Sequence, residues 1–500
     1  MPPPPNAANT TSVGVAIIGS GFAGLGTALR LRDVGFSDFV LLEKAGEVGG
    51  TWRDNTYPGC QCDVPSVLYS LSNRPNPDWS RTYSPQAEIQ DYLRRCAAEI
   101  PADRMQFDTE VTGAQWDDAA QVWVVETTRG TWTARVLVAG HGALSAPSVP
   151  DITGLDRFEG PVFHSAQWDH DVDLRGKRVA VIGTGASAIQ IVPHVQRAAE
   201  QLLVFQRTPP WVLPHTDRPT SRIERAVYRR LPAVQRAVRT GVYWLRELIY
   251  LAMAKRSWLT HRIEMLGRMH LQRQVPDPEL RARLQPDYDP GCKRLLLSNN
   301  YYPAVSADNA EVITEKISEV GPRSIITVDG VEHPVDVLIL ATGFKVTNHP
   351  VLGLVHNAAG QSLKDVWKKT GARAYLGSTV PGFPNLFVLG GPNTGQGHTS
   401  MVFTIEAQIT YLIDCLRHMS RRGLTSVDVR PEVVDRYNAD IQRKMAPTVW
   451  ASGGCVSWYL DENGRNTTLW PDFTFKFRAR SRRFDVEHYD VRATASEAAQ

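Results

Sequence analysis

Val13-Gly14-Val15-Ala16-Ile17-Ile18-Gly19-Ser20-Gly21-Phe22-Ala23-Gly24 and, later in the chain, Val179-Ala180-Val181-Ile182-Gly183-Thr184-Gly185-Ala186-Ser187-Ala188 decide the fold. In each, an apolar β-branched run stops at a glycine turn, and a helical pattern comes next, carried by Leu25, Leu29 and Leu31 in the first and by Ile189, Ile191 and Val192 in the second. The glycines have distinct tasks: a tight turn, close approach of the backbone to a pyrophosphate, and close packing of helix on strand. Ala188 at the third position of the second copy still satisfies the packing requirement. A lone glycine motif of this kind is most often a surface turn. The flanking strand and helix patterns, present twice, argue against that reading.

The residues that close the two units differ in charge. Glu43 stands 24 residues after Gly19, and Arg207 stands 24 residues after Gly183. A carboxylate at that place accepts from ribose hydroxyls, whereas a guanidinium there faces a 2′-phosphate. The first turn therefore suits an unphosphorylated adenosine such as that of FAD, and the second suits NADP(H). Such a chain is expected to pass a hydride between the two.

Five hundred residues predict two to three domains. With 42% hydrophobic and 21% charged residues the composition is that of an ordinary globular protein. A formal charge of +3 is too small to point to nucleic acid as a partner. The six cysteines are too few for a disulfide scaffold and lack zinc-site spacing, so reduced thiols are expected. No metal is expected. Residues 1–12, which include four consecutive prolines, read as a disordered leader and not a signal peptide. The longest uncharged apolar run in the basic helical stretch, Leu248–Ala254, is far short of a bilayer span, so a cytoplasmic protein is expected.

Alternating strands and helices around two such turns predict an α/β chain with two doubly wound Rossmann-like dinucleotide-binding domains and a helical insertion. The expected division is an FAD-binding domain from 13–146 and 352–500, an NADP-binding domain from 153–214 and 291–350, and an insertion over 215–290 rich in arginine, including Arg222, Arg225, Arg229, Arg230, Arg236 and Arg239. A basic amphipathic insertion can lie on anionic lipid, but a solvated face is the commoner outcome, so no membrane partner is expected. Ser84-Pro85 is expected to cap a helix running through Tyr92 and Leu93. The stretch Phe383–Asn393 is expected to be a buried strand leading into a helix over Ser400–Leu412.

Three further stretches carry chemistry. Phe158-x-Gly160-x-x-x-His164-x-x-x-Trp168-Asp169 lies between the two units; Gly49-Gly50-Thr51-Trp52 runs on to Tyr57-Pro58-Gly59-Cys60-Gln61-Cys62-Asp63, with Tyr69 beyond; and Gly291-Cys292-Lys293-Arg294 precedes Tyr301-Tyr302. Together with the two turns they resemble the type I Baeyer–Villiger monooxygenases, a branch of the class B flavoprotein monooxygenases. The resemblance runs from Gly19 to Cys455-Val456-Ser457-Trp458-Tyr459. Related N-oxygenating flavoproteins resemble the linker motif with a tyrosine where this chain has Trp168.

The resemblance implies that NADPH reduces FAD, that dioxygen forms a C4a-peroxyflavin, and that its attack on a ketone yields an ester or lactone. It places Arg294 as the fixed cation that stabilises the anions formed, a role suited to a side chain that cannot lose its charge, with Asp63 as its partner beside the flavin. It assigns FAD binding to Gly19, Gly21, Phe22, Gly24, Glu43, Thr51, Trp52, Asp63, Tyr69, Val111 and Met401. It assigns NADP binding to Gln61, Cys62, Asp63, Gly183, Thr184, Gly185, Ala186, Ser187, Ala188, Gln190, Arg207, Thr208, Lys293, Arg294 and Trp458, the last closing over the nucleotide. Phe158, Gly160, His164, Trp168 and Asp169 form the linker motif. His164 has no nucleophile or metal partner in the sequence and reads as a structural element.

Two departures bear on the substrate pocket. Where many members of the family have an Asn-x-Pro-Gly-Lys loop, this chain has Asn463-Gly464-Arg465-Asn466-Thr467-Thr468-Leu469-Trp470-Pro471, and little chain precedes the first turn. The expected partners are a small ketone and dioxygen, with the protein a monomer or small homo-oligomer. The alternatives are an enzyme of the same framework that oxygenates sulfur or nitrogen, and a non-catalytic NADPH-sensing flavoprotein. A disulfide reductase would need a paired cysteine at the flavin, and Cys60-x-Cys62 has the wrong spacing for it.

Overall fold

The structure, a computed structural model, describes residues 10–254, 258–461 and 463–493. Both apolar runs form buried strands, Thr10–Ile18 and Arg178–Ile182, and each turn opens a helix, Phe22–Asp33 and Ala186–Ala198. Each strand lies in the interior of its own sheet.

The first sheet runs in the order Val355–His356, Val111–Asp117, Val122–Thr127, Gly130–Ala139, Thr10–Ile18, Phe39–Leu42, Met105–Gln106. Leu386–Val388 pairs in parallel with the distal end of Gly130–Ala139. Strands from beyond residue 350 thus complete a sheet begun at residue 10. The sheet is parallel around the first turn and antiparallel through Val111–Asp117, Val122–Thr127 and Gly130–Ala139. The second sheet is parallel throughout, in the order Ala310–Ile313, Gln201–Phe205, Arg178–Ile182, Val337–Leu340, Val162–His164. Helices Arg222–Arg230, Pro232–Ala254, Trp258–Gln274 and Pro278–Arg283 interrupt the chain before the strands that complete this second sheet. The chain is an α/β protein with a Rossmann-like parallel core.

Four local expectations need correction. The expected leader is ordered from Thr10: Thr10, Thr11 and Ser12 pair with Thr131, Trp132 and Thr133, because the antiparallel arm of the sheet projects far enough to offer its edge; residues 1–9 lie outside the described ones. Ser84 does not cap the helix, which spans Gln86–Ala97 behind Pro85; the buried Ser84 hydroxyl is instead paired with that of Ser66. Of Phe383–Asn393 only Leu386–Val388 is strand, since Asn385, Gly390 and Asn393 all take positive φ and bend the chain. The helix beyond it runs longer than expected, Met401–Arg421, because Ile413, Cys415 and Met419 extend its buried face past Leu412.

The linker motif packs between the sheets. His164 ends the strand Val162–His164 opposite Leu340, is 2% exposed, and accepts a hydrogen bond at Nδ1 from the Ala166 amide. Burial holds its pKa below the ordinary value, so the ring is neutral. Trp168 sits edge-on to Phe163, 5.1 Å between ring centres, and a Cβ at Gly160 would lie 2.3 Å from the Asp336 carbonyl oxygen. Glycine at 160 is therefore a packing requirement.

Candidate active site

At the first turn, Gly19 takes φ +91°, and a Cβ on Gly24 would lie 1.8 Å from the Gly19 carbonyl oxygen. Helix and strand cross too closely there for any side chain. At Gly21, by contrast, the nearest heavy atoms to such a Cβ are 3.9 Å away, leaving open the space into which the helix amides point. The second turn repeats this: Gly183 takes φ +113°, and nothing lies within 4 Å of a Cβ at Gly185. Ala188 is fully buried against the strand. Both turns present the open, donor-lined cradle that a pyrophosphate needs.

The side chains that close the two turns are treated differently. Glu43 is 4% exposed, and its carboxylate accepts from the Ser20 amide and hydroxyl at 2.9 and 2.7 Å, from the Ala45 amide at 3.0 Å and from Arg53 Nη1 at 2.9 Å. Arg207 is exposed, and the nearby Lys293 is its like-charged neighbour. Burial, and then Arg207, push the Lys293 ammonium below its usual pKa. Two cations brought together in this way form a site for an anion. Thr208 lies beside them, its carbonyl accepting from the Thr184 hydroxyl at 2.9 Å.

Around the first turn the aromatic residues converge. Phe22 lies edge-on to Tyr69 at 5.0 Å, Trp52 lies edge-on to Tyr69 at 5.5 Å, and Trp52 Nε1 donates to the Tyr69 hydroxyl at 3.1 Å. Thr51 opens the short helix Thr51–Asp54. Val111 begins the strand Val111–Asp117, and Met401 begins the helix Met401–Arg421, whose first turn is capped by the Ser400 hydroxyl accepting from the Val402 amide. A helix of this length carries a partial positive charge at its Met401 end.

Asp63 and Arg294, 231 residues apart in the chain, form a bidentate pair: Nε to Oδ2 at 2.5 Å and Nη2 to Oδ1 at 2.7 Å. Burial raises the Asp63 pKa, but the Arg294 guanidinium outweighs it, with help from Arg246, so the carboxyl stays below its ordinary value. The charge of Asp63 in turn holds the Arg294 pKa above the ordinary value. Arg294 is one residue from Lys293, so successive side chains of a single segment face Asp63 and Arg207. The segment is held between the buried Cys292 and the strand Leu296–Leu297, which pairs with Val212–Leu213.

Gln190 joins the two halves. Its Nε2 donates to the Gln61 carbonyl at 2.9 Å, while its Oε1 accepts from the Gln61 amide at 3.3 Å and the Tyr57 hydroxyl at 3.1 Å. The helix that follows Gly185 thereby grips the Gln61-Cys62-Asp63 segment. Cys62 is a buried thiol whose pKa burial pushes well up, so it is not a nucleophile. Trp458 stands at the rim, 48% exposed, with its ring 4.5 Å from that of the buried Tyr459.

Three features of the site carried no signal in the sequence. Asp217 accepts from Gln61 Nε2 at 3.0 Å, Arg81 Nε at 2.6 Å and the Thr82 hydroxyl at 3.0 Å, fixing the segment that bears Asp63 from the far side. Arg246, on the helix Pro232–Ala254, donates to the Tyr83 hydroxyl at 3.2 Å. The third corrects an expectation: Cys292 and Cys455 are joined by a disulfide, not reduced, across a sequence separation of 163 residues that no spacing rule could reveal.

Residues 16–245 match the model of the pyridine nucleotide-disulphide oxidoreductase family. The chain is 50% identical over 482 residues to a Baeyer–Villiger monooxygenase of Streptomyces coelicolor, covering 96% of this chain and 92% of that protein. It is 48% identical over 483 residues to a Baeyer–Villiger monooxygenase of Pseudomonas aeruginosa, with the same coverage. Among solved structures it is similar to an oxidized steroid monooxygenase bound to NADP, with a TM-score of 0.85 at 30% identity over 97% of this chain and 100% of the other. The bidentate Arg294–Asp63 pair between two dinucleotide cradles thus sits in a chain that shares about half its residues with both named relatives over nearly its whole length. The chain belongs to the Baeyer–Villiger monooxygenase family of flavoprotein monooxygenases.

Proposed function

We propose that this protein uses NADPH and dioxygen to insert one oxygen atom beside a ketone carbonyl, giving an ester or lactone, with FAD held at the Gly19–Gly24 turn and NADP(H) at the Gly183–Ala188 turn. The observation that carries the reading is the Arg294–Asp63 pair, set on the one segment that also bears Lys293. The open backbone at Gly21 and Gly185, and the Arg207–Lys293 cation pair, fit the two groups.

When bound and reduced, FAD supplies activated dioxygen. The protein's part is to hold charge and exclude water. Glu43, oriented by Ser20 and Arg53, accepts from the ribose of the flavin nucleotide. Phe22, Trp52 and Tyr69 wall the flavin side from solvent. Arg207, Thr208 and Lys293 grip the 2′-phosphate, and Gln190 holds the nicotinamide-side segment Gln61–Asp63 in register with it. Arg294 keeps its proton throughout and stabilises negative charge as it develops on the carbonyl oxygen under attack. Asp63 fixes the plane of the guanidinium, leaving Nη1 free of Asp63. Trp458 closes the rim over the nucleotide.

No helix of the described residues is long and apolar enough to cross a membrane, and the site reading is consistent with work in the cytoplasm, where NADPH is supplied. The test is a panel of linear, cyclic and aromatic ketones incubated with NADPH and labelled dioxygen, with products identified by mass. One labelled oxygen in an ester or lactone is expected; consumption of NADPH with no ester from any ketone would overturn the reading.

A further inference from the structure

We infer that Cys292 and Cys455 form a redox-modification site through which thiol–disulfide exchange sets how firmly the hoop Cys455–Tyr459 closes over NADP(H). The inference rests on the proposed closure of Trp458 over the nucleotide.

The disulfide joins two functional segments. Cys292 immediately precedes Lys293 and Arg294, while Cys455 stands three residues before Trp458. Both ends pack against one apolar cluster, but they differ in exposure. Cys292 is 2% exposed in an apolar cluster with Trp211, Tyr250, Tyr288, Val449 and Trp450. Cys455 is partly exposed at the start of a five-residue hoop whose apolar side chains face outward, Val456 at 81% and Trp458 at 48% exposure. The hoop is pinned at its far end by Tyr459, which is buried in the same cluster as Cys292. At its near end the covalent bond does that work, beside a backbone hydrogen bond from the Asp289 amide to the Gly453 carbonyl at 3.0 Å. With the bond closed, Trp458 is tied at a set distance from the segment that holds the nucleotide phosphate. With it open, Cys292 remains in the core and the Cys455 end is released.

The unequal burial of its two ends argues for a switch and not a staple, since an exposed disulfide sulfur is the one a thiolate can reach. In the cytoplasm proposed above, thiols are kept reduced, and a disulfide there is characteristically transient or regulatory. The other four cysteines, Cys60, Cys62, Cys96 and Cys415, are buried, and burial holds each as a protonated thiol. None of them is poised to exchange with the pair. The step balances with a dithiol as co-reactant. One of its thiolates attacks the Cys455 sulfur, forming a mixed disulfide and expelling the Cys292 thiolate; its second thiol then displaces Cys455. Two electrons and two protons pass to the protein, which gains two thiols, and the dithiol becomes a disulfide. Oxidised glutathione reverses the change.

The decisive experiment measures NADP+ affinity on the flavin-loaded enzyme by equilibrium dialysis, after treatment with oxidised glutathione and again after dithiothreitol, with thiols counted in each state. Two additional thiols and a roughly threefold or greater rise in Kd on reduction are expected, reversed by reoxidation. Cys455→Ser should show the weaker Kd in both treatments. Equal Kd in the two states, six titratable thiols even after oxidised glutathione, or a dithiol response that survives in Cys455→Ser would each overturn the proposal. The wild-type titration decides alone if the variant does not fold. Ketone products are assayed separately: failure to form ester would sink the functional reading while leaving a redox-dependent Kd intact, and an unchanged Kd would sink this inference while leaving ester formation intact.

Discussion

The two nucleotide turns share a backbone plan and differ in how their closing charge is placed. Glu43 is buried and satisfied by four donors before any ligand arrives, whereas Arg207 is exposed and faced by another cation. A buried, pre-paired carboxylate suits a group that stays bound. Two like-charged cations at the rim suit one that comes and goes, because each arrival relieves their repulsion and each departure restores it. On the proposed reading, the turn with the buried charge retains its nucleotide and the turn with the exposed charge exchanges it.

The two turns should differ most at the third glycine position. Gly24→Ala puts a methyl group 1.8 Å from the Gly19 carbonyl oxygen, so a loss of more than about 4 kcal/mol in stability and a colourless protein are expected. Ala188→Gly at the matching place should cost only about 1 kcal/mol, read by thermal unfolding. Next in size, Arg294→Ala should still be reduced by NADPH while ester yield falls by about 100-fold or more, measured by product chromatography. Arg207→Ala or Lys293→Ala should raise the KM for NADPH by about 10- to 100-fold and leave that for NADH nearly unchanged, which steady-state kinetics with both donors would show.

The smallest effect lies away from both turns and serves as a control. Asp428 and Asp490 face each other across the strand pair Leu424–Val429 and Tyr489–Ala493. Burial, partly offset by the Gly382 amide and reinforced by Asp490, raises the Asp428 pKa from 3.8 to about 7. Between those values the folded chain holds a proton that the unfolded chain releases, so stability falls as pH rises from about 4 to about 7 and levels off above. Asp428→Asn keeps an acceptor for the Gly382 amide. It should raise the Tm at pH 8, leave it unchanged near pH 4, and leave both nucleotide preferences unaltered.

The features legible in the chain were local or charge-coded. A β-branched run, a glycine turn and a closing residue 24 positions on each lie within one strand–helix–strand unit, so their geometry obeys short-range rules. Strands from beyond residue 350 are expected to complete the first sheet, and its antiparallel half is made of adjacent hairpins, but which strands Val355–His356 and Leu386–Val388 join depends on long-range pairing. The same is true of the Gln190–Gln61 clamp, of Asp217, and of the disulfide: each joins residues that local patterns cannot relate. Ser84 shows the opposite failure. Its local signal was that of a cap, and a tertiary partner, Ser66, took the hydroxyl instead.

On the proposed reading the sign of the closing charge assigns each turn its nucleotide, and the most direct test mixes the oxidised, flavin-loaded enzyme with NADPH or NADH without oxygen, at equal donor concentrations, and follows loss of the flavin absorbance. Much faster bleaching with NADPH is expected, with near-equal rates once Arg207 and Lys293 are both replaced by alanine. Equal rates in the unaltered enzyme, or an NADPH preference that persists in the double variant, would contradict that assignment.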